Sequence, residues 1–227
     1  MRADRRTGEP GLVLRGMLAV LLLGVATGLC WLLWTMPLAP GLGDAVRAAL
    51  AQSGVDNPVT AVLLNFRGYD TLLEIAVMTS TLVGVWALGP APRLHERSPS
   101  PVLLGLDSIL IPFAAVICGY LLWVGASRAG GAFQAGSVLA AVGVLFILSG
   151  RRPRIGLPDT PMRWGVVLGL GVFLAVSLGV MGDGRQFLEY PAGSAKTFML
   201  LIEAAATVSI AVILAGLFIG GRPGDEP

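Results

Sequence analysis

The amino-acid sequence predicts an all-α integral membrane protein with about six transmembrane helices and both termini in the cytoplasm. Composition is the first reason: of 227 residues, 55% are hydrophobic and 13% charged, against about 25% charged in an ordinary soluble domain. Half of the usual solvating charge is missing, which makes lipid the natural solvent. The second reason is that the apolar residues gather into separate runs. Each has roughly the twenty residues that cover about 30 Å of hydrocarbon at 1.5 Å per residue. The third is the placement of the basic residues. With the amino terminus inside, Arg2, Arg5, Arg6, Arg15, Arg93, Arg97, Arg151, Arg152, Arg154, Arg163 and Arg222 fall on the inner side. Only Arg47, Arg67, Arg128, Arg185 and Lys196 fall on the outer one, and such a bias marks the cytoplasmic face.

Residues 1–15 read as a basic cytoplasmic tail. Gly16 to Met36 carries no charge and forms the first span. It exceeds the apolar core of a signal peptide, about 7–15 residues, and no clean cleavage site follows. Residues 37–55 read as a loop with a short helical piece around Asp44 and Arg47, and Asn57-Pro58 as a turn. Val59 to Leu64 is apolar but too short to cross, which puts it at the interface. It feeds a charged hinge, residues 65–74, that opens into the second span, Leu72 to Leu88, stopped by Gly89-Pro90-Ala91-Pro92. Residues 91–101 form a basic cytoplasmic linker in which His95 is simply solvated.

The third span, Val102 to Val124, contains Asp107 and a mid-span Pro112. Proline removes a backbone donor and crowds the preceding turn, so a kink is expected there. Ala132 to Leu148 is the fourth span, and its small residues Ala132, Gly136 and Ala140 recur every four positions, a stripe on which another helix can approach closely. Trp164 to Met181, the fifth, repeats the device with Gly165 and Gly169. Thr197 to Gly220 is the last span and encloses Glu203; residues 221–227 form a polar tail.

Several chemistries are excluded. There is no P-loop, no G-x-G-x-x-G motif after a strand and no H-E-x-x-H. Cys30 and Cys118 lie apart in apolar runs and His95 is the sole histidine, which leaves neither a disulfide framework nor a metal site. The net charge of +2 is scattered among loops, which argues against nucleic acid. No metal and no resident cofactor are expected, only a transient Na+ or H+.

The charges in and near the spans are therefore the candidates for function. Glu203 lies seven residues past Lys196, roughly 10 Å along a helix, with no further basic residue before Arg222. Removal from water favours the neutral, proton-carrying form of an acid, and a group that exchanges a proton there suits a relay. The alternative is a protonated glutamate bonded to a neighbouring helix. Thr71-Leu72-Leu73-Glu74 fits a capping box, and Asp70 equally fits a helix cap. Glu74 is otherwise a carboxylate at a membrane entrance. Asp107 is either an acid on the ion path or a cap at a loop end. Lys196 reads as an interfacial anchor, and Gln134 as a bond across helices or a polar path lining.

Two stretches resemble a known family. Leu64-Asn65-Phe66-Arg67-Gly68-Tyr69-Asp70-Thr71 with Glu74 resembles the N-x-V-x-x-I-L-x-D-F-R-G-x-D-T-x-G-E stretch of Mrp-type multisubunit Na+/H+ antiporters, found near the carboxy terminus of their A-type subunit. The same stretch occurs in the small, MbhE-like counterparts of that region in membrane-bound hydrogenases. Ile111-Pro112-Phe113, with Gly130-Gly131-Ala132-Phe133-Gln134-Ala135-Gly136, is similar to the MnhB subunit of the same antiporters. The chain departs from the pattern at Asn65, where the family has an acid, at Leu73, and at Ala132 and Ala135, where it has glycines.

The resemblance implies a division into a two-helix MbhE-like segment, residues 16–90, and a four-helix MnhB-like domain, residues 102–220. It further implies an accessory, non-catalytic subunit in a hetero-oligomeric complex of the plasma membrane, alongside other antiporter-type subunits and with or without a redox module. Glu74, Asp70, Arg67, Pro112 and Gln134 match motif positions. Glu74, Glu203, Asp70 and Asp107 would line a proton or cation path, tuned by Arg67, Pro112, Gln134 and Lys196, with Gly136, Ala140, Gly165 and Gly169 packing helices. Two other readings stand beside this one. The first is a purely structural membrane scaffold. The second is a stand-alone small-solute carrier, for which the internal repeat of many transporter folds is absent.

Overall fold

The computed structural model describes residues 12–36, 41–89, 101–149, 159–182, 184–191 and 193–221. Every regular element among them is helical. Outside the described residues lie most of the amino-terminal tail, the linker bearing Arg93, His95 and Arg97, the arginines at 151, 152 and 154, and the tail from Arg222.

The chain divides at residue 42 into two units. The first holds α1, Leu12–Thr35, apolar on all sides and with no buried residue. It starts four residues before the expected span. Leu12, Val13 and Leu14 continue the apolar run, and a residue such as Arg15 can lay its stem along it and keep its charge in water.

The second unit holds α2 (Gly43–Ser53), α3 (Pro58–Ala61), a π-helical segment Val62–Phe66, and α4 (Gly68–Ala87). They are followed by α5 (Pro101–Val124), α6 (Ala132–Leu148), α7 (Asp159–Met181) and α8 (Ala195–Ile219). Among the described residues five helices, α1, α4, α5, α7 and α8, are long and apolar enough to cross a bilayer. The sixth, α6, has 17 residues and spans roughly 25 Å. The preceding turn explains its shortness: Gly131 N–H bonds back to Leu121 O, 2.9 Å away. The chain thus re-enters beside α5 and α6 starts about one turn below the end of its neighbour.

α8 is the hub. It packs most extensively on α6 and α7, with α4 and α5 completing its surroundings. Ile202, Ile210 and Ile213 are fully buried. Lipid tails are as apolar as these side chains, so close packing and interhelical hydrogen bonds, rather than burial from water, hold such helices together. Small residues permit the approach: a Cβ on Gly169 would sit 2.8 Å from Ser209 Cβ, and one on Gly165 3.1 Å from Val212. Ser209 Oγ then reaches across to donate to Val166 O at 2.5 Å.

Asn57 ties the early part of the unit to the later helices. Its Oδ1 caps α3 by accepting from Val59 N–H at 3.1 Å, while its Nδ2 donates to Gly125 O and Arg128 O at 2.9 and 2.8 Å. Thr60 Oγ1 adds a bond of 2.7 Å to Gly125 O. Asn57→Leu takes the Nδ2 donor from Arg128 O and leaves Gly125 O with Thr60 alone, a loss of about 0.5–1.5 kcal/mol per bond. We therefore expect a thermal unfolding midpoint in detergent well below that of the native chain, and Asn57→Asp, which keeps the cap but not the donors, should fall between the two.

The expected capping box is absent. α4 starts at Gly68, with Arg67 at the cap position and no side-chain bond there. Thr71 lies inside the helix, and its hydroxyl donates to Leu63 O at 2.7 Å, in the π-helical segment. Asp70 belongs to the first turn and pairs with Arg67 at 2.5 Å. The physical reason is that the wide π turn already delivers the chain in helical geometry at Gly68, and its carbonyl captures the threonine that would have capped a later start.

Candidate functional site

A helix leaves its first amides without intrahelical acceptors, and a serine, threonine or aspartate usually supplies one. α6 has none of these: its cap is Gly131, with no side-chain bond. The acceptor comes from another helix. Glu203, just past the second turn of α8 and 6% exposed, takes the Ala132 N–H as a donor to its carboxylate. Its place in the sequence puts it roughly 12 Å along α8 from Ala195.

Gly131 makes the approach possible. Its φ of 109° and ψ of −171° lie in a region essentially reserved for glycine. A Cβ there would also stand 2.7 Å from Glu203 Oε1. Backbone shape and side-chain clearance therefore demand the same residue. One turn further along α8, Thr207 Oγ1 donates to Glu203 O at 2.7 Å, which turns that hydroxyl back onto its own helix.

Beside the carboxylate is a cavity of about 90 Å³. Thr60, Leu63, Leu64, Thr71 and Ile75 wall it on one side and the Gly130–Gln134 turn on the other, with Ile202 and Glu203 at the back. Val59, Leu63 and Gln134, the exposed members of the lining, mark its mouth. At about 10–15 Å³ of such space per molecule the cavity has room for several waters. Among the described residues, Glu203 is its sole ionisable lining residue.

The other candidate residues are placed elsewhere. Asp70, Glu74 and Arg67 lie exposed on or before the first turns of α4 and none lines the cavity. Asp107 is fully buried on α5, away from that lining. Lys196, expected just outside the last span, is exposed within the first turn of α8, and Pro112 is exposed inside α5. Gln134 alone of the tuning candidates joins Glu203 at the cavity. Gly136 and Ala140 are buried on the face of α6 toward α8. No group of three or more histidines, cysteines or acids that could hold a metal occurs among the described residues. Sequence reasoning missed Thr60, Thr71 and the role of Gly131. The one available signal was a helix opening on Gly130-Gly131 with no capping side chain of its own.

The family model for MbhE, the E-type subunit of MBH, matches residues 14–98. A probable K(+)/H(+) antiporter A/B-type subunit of Rhizobium meliloti (strain 1021) is 26% identical over 209 residues, covering 75% of this chain and 20% of that protein. The chain thus spans about a fifth of that relative's length. The fold is similar to a chain of the Mrp complex from Dietzia sp. DQ12-45-1b, with a TM-score of 0.67 and 20% identity over 97% of this chain and 27% of that one. It is also similar to a chain of the membrane-bound sulfane sulfur reductase (MBS), an archaeal respiratory membrane complex. There the TM-score is 0.70 and the identity 22%, over 92% of this chain and 98% of the other. The model of domains related to the MnhB subunit of Na+/H+ antiporter matches residues 102–222, more than half of the sequence. With apolar helices of spanning length around a common hub, this multi-pass membrane protein belongs to that MnhB-related family.

Proposed function

We propose that the chain is a non-catalytic accessory subunit of a multisubunit cation/proton antiporter, or of a related ion-translocating membrane complex, in the plasma membrane with both termini cytoplasmic. Other antiporter-type subunits are its partners. The observation that carries an ion-handling role is the buried Glu203 carboxylate, held by the Ala132 amide at the wall of a water-sized cavity. An acid so far from solvent is expensive to keep unless it is bonded or used. The Ala132 amide steadies its ionised form and the apolar walls its neutral form, so both protonation states have support.

Family membership and the apolar helices support the transporter setting. Glu74 and the Asp70–Arg67 pair are exposed at the start of α4, where groups of a neighbouring subunit would meet them. In vesicles holding the intact complex, Glu203→Gln should slow cation-coupled proton movement on the order of ten- to a hundredfold, the range of a lost proton-transfer group, with assembly unchanged. Glu74→Gln should give a smaller loss. Unaltered transport in both variants would leave the scaffold role, which the tight seating of Gly136 on Ile210 favours.

A further inference from the structure

We propose that Glu203 exchanges its proton with one face of the membrane only, that of the α5–α6 turn, through a port held by Gln134; this rests on the reading of Glu203 as an ion-handling group. With both termini cytoplasmic, that face is the outer one. The mouth of the cavity locates the port. Val59, Leu63 and Gln134, its exposed lining, belong to α3, the π-helical segment and the first turn of α6. Charged residues stand close by in the chain: Asp56 and Arg128 are exposed, and the Asp56 N–H bonds to Ala126 O at 3.1 Å. Exposed charges are costly in hydrocarbon, which sets this end of the helices at water.

Gln134 is the polar side chain at that mouth. From the point where a Cβ on Gly131 would stand, Glu203 Oε1 is 2.7 Å away and Gln134 Oε1 3.9 Å, close enough for about one or two waters to join them. A carboxamide offers both N–H donors and a carbonyl acceptor, so it can hold water against either protonation state of Glu203. Being neutral, it does not trap the proton. A hydronium at the mouth passes its proton along these waters to one oxygen of Glu203, leaving water and a neutral carboxylic acid, and departure is the reverse step.

The opposite direction is closed. From Glu203, α8 runs roughly 24 Å further to Ile219, past Ile210 and Ile213, with Leu82 of α4 and Val166 of α7, all fully buried. The Thr207 and Ser209 hydroxyls are turned onto Glu203 O and Val166 O. Thr79 Oγ1 and Trp86 Nε1 are buried without partners, but roughly 10 Å of α4 separates these two residues, with Leu82 between them. Asp107 lies roughly 21 Å along α5 from Leu121, whose carbonyl accepts from Gly131 N–H. Protons move along hydrogen bonds of about 2.5–3.0 Å, and polar groups this far apart form no chain. The other charged side chains described on the elements around α8 are Asp70 and Glu74 on α4, Arg163 on α7 and Lys196 on α8 itself, while α6 carries none. None of them lines the cavity.

The test is an infrared pH-jump measurement on the intact complex in right-side-out and inside-out membrane vesicles. It follows the carbonyl stretch of the protonated acid as the difference between native complex and Glu203→Gln. When the pH of the medium is stepped, the band should respond at once in right-side-out vesicles. In inside-out vesicles it should lag until a protonophore equilibrates the lumen. Gln134→Leu should slow the prompt response on the order of tenfold with the final band unchanged, and Gln134→Asn, which keeps the amide, should restore most of the rate. A prompt response in both kinds of vesicle, or in the inside-out kind alone, overturns the single port, as does the absence of any Glu203-dependent band. An unchanged rate in Gln134→Leu overturns the part given to Gln134. If the band answers both faces while Glu203→Gln slows transport, the ion-handling reading stands and the single port falls. If it answers the α5–α6 face alone while Glu203→Gln transports normally, the port stands and the transport reading falls. Should Glu203→Gln fail to assemble, Glu203→Asp identifies the band by displacing it, since it keeps the acid and withdraws it from the Ala132 amide.

Discussion

Gly131→Ala should be strongly destabilising. The residue holds φ 109° and ψ −171°, and a side chain in that region costs about 1–3 kcal/mol in backbone strain. The added Cβ would also fall 2.7 Å from Glu203 Oε1 and push the carboxylate off the Ala132 amide. Losing a hydrogen bond to a charged group costs about 1.5–3 kcal/mol. Together these approach roughly 3–5 kcal/mol, a large part of the 5–15 kcal/mol that holds an ordinary domain together. The measurement is the thermal midpoint of the purified protein in detergent, followed by helical circular dichroism.

A double-mutant cycle separates the two causes. In a Glu203→Ala background the new methyl has room, so Gly131→Ala should cost less there by about 1–2 kcal/mol, and only the backbone strain should remain. Equal costs in both backgrounds would mean that the carboxylate does not press on position 131. A cost of under about 1 kcal/mol in the native background would contradict the described geometry of the turn altogether.

Gly136→Leu is expected to separate α6 from α8. A Cβ at 136 would already stand 2.8 Å from Ile210 Cγ2, 2.9 Å from Ile210 Cβ and 3.1 Å from Thr207 O. Both helices present backbone or branched carbon at the contact, so neither can yield by turning a flexible side-chain end. Overpacking by a few atoms costs about 1–3 kcal/mol, the expected range for Gly136→Ala. Leucine exceeds that and should abolish accumulation of the assembled protein. Gly119→Leu on α5, where no atom lies within 4 Å, is the control and should accumulate normally. Because Ala132 begins the same helix, displacing α6 also withdraws the amide from Glu203. A suppressor that restores packing, such as Ile210→Ala, should then restore assembly and transport together.

Much of the helical framework was legible in the chain. Ala132 to Leu148 coincides with α6, and the other spans differ from their helices by a few residues at the ends. Those differences are local contests. Leu12 to Leu14 prolong α1 past Arg15, and the π turn at Val62–Phe66 starts α4 before the threonine expected to cap it. Glu203 also stood out, as an acid with no basic residue near it in sequence. Its surroundings did not, because Thr60, Thr71 and Gly131 reach it only after α3, α4 and α6 have been packed around α8.

By itself the sequence determined that this protein lives in lipid as helices. A run of about twenty apolar residues closes its own backbone hydrogen bonds, and nothing else satisfies them in hydrocarbon. Whether a given charge acts in the membrane was left to tertiary structure. Asp70 and Glu74 sit beside a span yet stay exposed, while Glu203 is enclosed and meets the amide end of a helix that begins some seventy residues earlier. Burial and hydrogen bonding depend on the register between helices distant along the chain, and that register is decided by where Gly131, Gly136 and Gly169 let backbones touch.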